Sequence, residues 1–239
     1  MIKKNVLTLL FFFALTAFSL AQKSPSPASI PKFGEVDLSE FSIKGSGPDS
    51  AAAAIKIFDT GKGSFVHNSD GRFAYVFERH LRYKIISKQA SDLANLEIIL
   101  YSGKNNDKET LESVSGATYN LTDQQIITSP MSREAKFSTR LDEHHMVKKF
   151  SLPNVKEGSV IEYSYKTRSD FIFRLDDWHF QGSYPCEYSD FTITVPQYFI
   201  YKILNSGYIG IMQAKPVETE DLLVGRAMRS EFFARHIPA

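Results

Sequence analysis

The chain has 239 residues, 28 Lys+Arg against 27 Asp+Glu, 43% apolar and 13% aromatic residues, the proportions of an ordinary folded domain. These values exclude a disordered, collagenous or coiled-coil chain, and a formal charge of +1 leaves no basic footprint for a nucleic-acid backbone. One cysteine, Cys186, excludes an internal disulfide.

Lys3 and Lys4 precede an apolar stretch from Val6 to Phe18, and Ser19-Leu20-Ala21 puts small residues where a signal peptidase reads. The stretch is shorter than the roughly 20 residues that span a bilayer, so a cleaved signal peptide over 1–21 is expected, with no stable membrane span after cleavage. Cleavage removes two of the 28 basic residues and none of the acidic ones, leaving the exported chain near neutrality. A lipid anchor would need a cysteine at the cleavage site, and there is none. Residues 22–34, rich in Pro and Ser, read as a flexible spacer, 35–215 as the folded domain, and 216–239 as a C-terminal segment that mixes charged and apolar residues.

Pro48-Asp49-Ser50 and the alanines after it predict a short capped helix that runs into a strand at Ile55. After the Asn68–Gly71 turn the period becomes two. Phe73, Tyr75, Phe77, Leu81, Tyr83 and Ile85 share one face of a long strand, with Glu78, His80, Arg82 and Lys84 on a polar face and Arg79 interrupting the apolar one. A Ser91–Ala94 turn leads into Leu96–Leu100. Further alternation spans Val114–Leu121, Gln125–Thr128, Met146–Leu152, Val160–Tyr165, Phe191–Val195 and Tyr198–Leu204, while 130–145 reads as a loop. Many short strands with turn-rich connections predict a mainly β fold, an antiparallel β-sandwich with one or two short helices.

The stretch from Lys149 to Val195 holds the PNVKEG turn, the strand GSVIEYSY, Asp177-Trp178 with Phe180-Gln181, Tyr184-Pro185 and a Ser189-containing strand. It resembles the exported bacterial domain of unknown function found N-terminal to transglutaminase-like domains, chiefly in Gram-negative envelope proteins; the likeness extends over about 36–239. The resemblance implies a β-sandwich in the periplasm or cell envelope. It also implies that any Cys-His-Asp chemistry belongs to the neighbouring domain, towards which a segment like His236–Ala239 would lead. Cys186 departs from the expected pattern.

The remaining chemistry is sparse. A Cys186 nucleophile would need an imidazole and a carboxylate brought from elsewhere, and Cys186 follows a Tyr-Pro turn rather than opening a helix that would favour its thiolate. His144 and His145, beside Asp142-Glu143, point to opposite sides of an extended chain and so make a poor metal pair. Asp176, Asp177 and Glu162, near Arg174, could be imagined as paired carboxylates for glycoside cleavage, but Asp177 ordering the Trp178 turn is the simpler reading. Asn120-Leu121-Thr122 is a glycosylation sequon only in form. No catalytic, cofactor or metal residues are therefore assigned. The candidate binding surface is Phe173, Trp178, Phe180 and Tyr184, inside an aromatic run from Phe171 to Tyr188. The family resemblance, with no catalytic constellation beside it, implies a non-catalytic module partnered with a transglutaminase-like domain; the alternative is a free-standing protein binding envelope glycan or peptide through the Phe171–Tyr188 region.

Overall fold

A computed structural model describes residues 26–103, 107–131, 136–173, 175–221 and 223–239. Residues 1–25, which carry the expected signal peptide, lie outside them, as does Arg174. The described chain is mainly β. Its principal sheet has the order β10-β12-β9-β1-β2-β8-β4-β5, with β11 paired to β12. The strands are β1 (Ala54–His67), β2 (Phe73–Ile85), β4 (Glu109–Thr122), β5 (Gln125–Pro130), β8 (Val160–Ser169), β9 (Cys186–Pro196), β10 (Met212–Gln213), β11 (Val217–Asp221) and β12 (Gly225–Ile237). A second sheet, β3-β7-β6, is formed by β3 (Asn95–Tyr101), β6 (Lys136–Arg140) and β7 (His145–Ser151). Its inward residues Ile98, Leu100 and Phe150 pack on Leu111, Val114 and Tyr165 of the large sheet, giving the two-layer arrangement.

The short helix expected after Pro48 is a 3-10 turn, Gly47–Ala51, and two further 3-10 turns lie at Leu38–Ser42 and Lys88–Ala94. The Leu38–Ser42 turn is closed by a reciprocal capping box between Asp37 and Glu40. In the PNVKEG turn Gly158 sits at φ +86°, backbone that a side chain would strain.

Sheet pairing is antiparallel except between β1 and β9, which run parallel at the centre. Four further readings are corrected. Tyr198–Leu204 is loop, its period-two pattern serving a segment that lays Phe199 and Tyr201 on Phe65 and leaves Ile200 fully exposed. The stretch 130–145 contains edge strand β6. Residues 216–239 are no appendage, because β12 is an interior strand of the sheet, paired with β9 from Ala227 to Ile237. Residues 26–34 of the expected spacer lie along the sheet: the Ala28 amide donates to the Tyr188 hydroxyl, and the Gly34 amide to Glu162.

The polar side of β2 is also not a solvent face. Arg82 and Glu162 are completely buried and Lys84 nearly so, beneath the chain from Gly34 to Phe41. Arg82 donates to Glu162 Oε1 at 2.6 Å and to Glu40 Oε1 at 2.6 Å. Glu162 also accepts from the Tyr119 hydroxyl at 2.6 Å, the Gly34 amide at 2.9 Å, and lies 2.7 Å from His80 Nε2. Burial works against its charge, yet His80, Tyr119, Arg82 and the Gly34 amide together hold the carboxyl below its ordinary range.

Breaking a buried pair strands a charge. Glu162→Ala is therefore expected to cost about 3–5 kcal/mol in urea unfolding. Glu40→Gln should cost far less, because burial pushes the Glu40 carboxyl upward and its Oε2 has no hydrogen-bond partner.

Candidate functional site

Opposite the Arg82–Glu162 network, the other face of the central strands carries a second buried charge cluster. Asp59, with no exposed surface, accepts from Lys56 Nζ at 2.6 Å and from Arg79 twice, at 2.8 and 2.7 Å. Residues three apart on a regular strand face opposite ways, but a bulge between Lys56 and Phe58 turns the chain so that Lys56 and Asp59 share a face. Burial opposes ionisation of Asp59, and the hydrogen bonds and charges of Arg79 and Lys56 outweigh it, so the carboxyl is held low. Arg79, the apparent interruption in the apolar face of β2, is thus the partner of Asp59.

Trp178 closes this cluster. Its ring lies 5.1 Å from the Arg79 guanidinium and stacks on Phe191 at 5.5 Å and 16°, while Nε1 donates to Ser189 Oγ at 3.2 Å. The strand beneath must be bare for this: a Cβ at Gly61 would lie 2.5 Å from the indole.

The four predicted surface residues are consequently not one platform. Phe173 is 96% exposed and stands apart. Phe180 packs beside Cys186, Ala234 and Ile237. Tyr184 meets Tyr83 edge-on at 6.3 Å. Phe171 is edge-on to Tyr101, and Tyr188 is on the opposite face of the sheet with Phe58 and Phe233. What Trp178 and Phe180 do share is one wall of a groove of about 690 Å³, whose other walls are Leu204, Ile209, Ile211 and the Ala239 end of the chain. Sequence reasoning missed those loop residues because the Tyr198–Leu204 stretch reads as a strand.

The reactive residues are separated. Cys186 is buried; its thiol donates to the Tyr188 carbonyl at 3.2 Å, and burial pushes it up to about 12, far from a thiolate at neutral pH. His145 bonds to Asp142 at 2.8 Å while His144 turns to the Ser102 carbonyl at 3.0 Å. Among the described residues no three His, Cys, Asp or Glu side chains gather around a common point. Asp176 and Asp177 are exposed, while Glu162 faces the other side of the sheet within its Arg82 pairing, so the imagined carboxylate pair is not assembled. No helix among the described residues is long and apolar enough to cross a membrane.

A mainly β domain with its ionic groups locked in structural pairs is the class defined by these features. The chain belongs to the family described as a domain of unknown function with solved structure, DUF3857, whose model matches residues 72–219. Among solved structures it is similar to a chain from Parabacteroides distasonis ATCC 8503 described as a putative protease, with a TM-score of 0.55 at 14% identity, over 79% of this chain and 36% of that one. That likeness is one of fold, and this chain spans about a third of the similar chain's length. No curated protein matches the sequence.

Two outcomes follow from the site. Native Cys186 should resist alkylation by iodoacetamide at pH 8 and react fully once urea unfolds the chain. Trp178→Ala should lower the melting temperature, since it exposes the Arg79–Asp59 pair and unstacks Phe191.

Proposed function

We propose that this protein is an exported, non-catalytic accessory module of the bacterial envelope that docks a transglutaminase-like domain, fused in relatives or made separately. The groove walled by Trp178, Phe180, Leu204 and Ile209 is the docking surface in this reading, and the partner supplies every bond-making residue. The observation that carries it is the position of this groove at the end of β12. Gln181 Nε2 donates to the carbonyls of Pro238 and Ala239 at its rim, so polypeptide following β12 would leave directly beside an apolar surface. The adjoining loop adds Leu204 at 76% and Tyr208 with no cover at all, apolar exposure of the kind that marks interaction surfaces.

The buried, protonated Cys186 and the paired histidines and carboxylates support a role without chemistry of its own. The second reading, a free-standing glycan- or peptide-binding protein using the Phe171–Tyr188 region, has the same groove in its favour, since an extended peptide could lie against Trp178 and Phe180. An N-terminal export signal and an envelope location belong to both readings.

The test is a calorimetric titration of the signal-cleaved chain with a purified transglutaminase-like domain from the same genome. Binding with a Kd below about 100 μM is expected. Leu204→Asp should weaken it at least about tenfold with the melting temperature unchanged. Absence of binding, together with peptide capture that Leu204→Asp abolishes, would replace the accessory reading with the second one.

A further inference from the structure

A groove larger than the one beside Trp178 lies elsewhere, on the face of the large sheet turned away from that residue, and encloses about 830 Å³. Its floor is unusual for the middle of a sheet. Thr60, Lys62 and Ser64 of β1 lie beside Asp190, Thr192 and Thr194 of β9, with Glu231 and Arg229 of β12 next to them. One wall is the chain from Ala28 to Phe33, pinned at both ends by the Ala28–Tyr188 and Gly34–Glu162 hydrogen bonds; the other is β11 through Thr219, Glu220 and Asp221. The Phe33 ring, 39% exposed, leans over His80 at 6.1 Å on this wall.

The composition selects among ligand classes. Five carboxylates, those of Glu78, Asp190, Glu220, Asp221 and Glu231, stand among four cations, Lys32, Lys62, Arg79 and Arg229, with Arg229 paired to Glu231 at 3.5 Å, so the groove is mixed in sign and favours a neutral polar ligand over a phosphate or other anion. An acyl chain or apolar side chain would find a floor of hydroxyls. A peptide cannot add as a strand here, because the backbone of β1 and β9 is already paired on both sides. Polyhydroxylated rings suit it: each sugar hydroxyl both donates and accepts, threonine hydroxyls and carboxyls answer in kind, and one exposed aromatic ring offers a stacking wall.

We infer that this groove is a binding site for a neutral oligosaccharide, seated on Asp190, Thr192, Thr194 and Glu231 with a pyranose ring against Phe33. Asp190 fits the role further. Burial, with Glu231 and Asp59 nearby, raises its carboxyl to about 7 against the hydrogen bond from Tyr188, so near neutrality it can donate as well as accept. The site is on the opposite face from the docking groove, so the two proposals stand or fall separately.

The experiment is titration of the isotope-labelled, signal-cleaved chain with chitotriose, cellotriose and maltotriose, followed by amide chemical shifts. At least one should give saturable shifts confined to β1, β9, β12 and the 28–33 segment. Thr192→Val with Thr194→Val should weaken that binding at least about tenfold, and the exposed-wall variant Phe33→Ala should do so with the fold unaltered. Trp178→Ala should leave it unchanged wherever the spectrum remains folded. No shifts from any of the three at about 10 mM, a concentration that reveals even Kd values in the millimolar range, would overturn the inference, as would shifts centred on Trp178 and Phe180.

Discussion

Two carboxylates without solvent exposure, Asp59 and Glu162, stand on the central strands of the sheet, one on each face, and the layers above each face are arranged around neutralising them. An isolated ion in such surroundings would be prohibitively unfavourable, so each is ringed by cations and donors that satisfy its oxygens. On one side this requires the bulge at Ile57, the reach of Arg79 and the Trp178 cover. On the other it requires Arg82, His80, Tyr119 and the amide of Gly34, which brings the N-terminal chain down onto the sheet. The order of the fold at both faces follows from satisfying these two groups.

The two clusters also leave differently composed surfaces on the two faces. The face closed by Trp178 ends in an apolar groove beside the chain terminus, suited to a protein neighbour. The face closed by the 26–41 chain leaves a groove of hydroxyls and carboxyls beside it, suited to a polar ligand. Family membership assigns the chain to a domain of unknown function, and the likeness to a much longer chain is one of fold, which by itself carries no activity.

Period-two patterning was enough to read β2, β3, β4, β5, β7, β8 and β9, because side chains on a strand alternate between two faces and the apolar ones gather on the face turned to an apolar layer. It misled at Tyr198–Leu204, where alternation reflects a loop pressing Phe199 and Tyr201 inward with no ladder to a neighbouring strand. It was silent at β6, an edge strand with little to bury, and in the charged β12, whose Glu231 and Arg229 face the polar groove rather than water beyond the domain. The run Glu78, Arg79, His80, Arg82, Lys84 was visible as charge, yet a polar face normally means solvent. Only the covering chain makes it interior.

The sequence by itself determined the class: a β-rich chain with a lone cysteine, strands whose side-chain alternation is a local property of the backbone, and a family-like stretch from Lys149 to Val195. The tertiary structure alone decided which charges are partners, which aromatic rings are cover, and where surfaces open. Those depend on residues far apart in the chain: Arg82 meets Glu40 across 42 positions and Glu162 across 80, and Tyr188 receives Ala28 across 160. No local pattern encodes such meetings, because they are fixed by sheet order and register, which emerge only when all the strands pair at once.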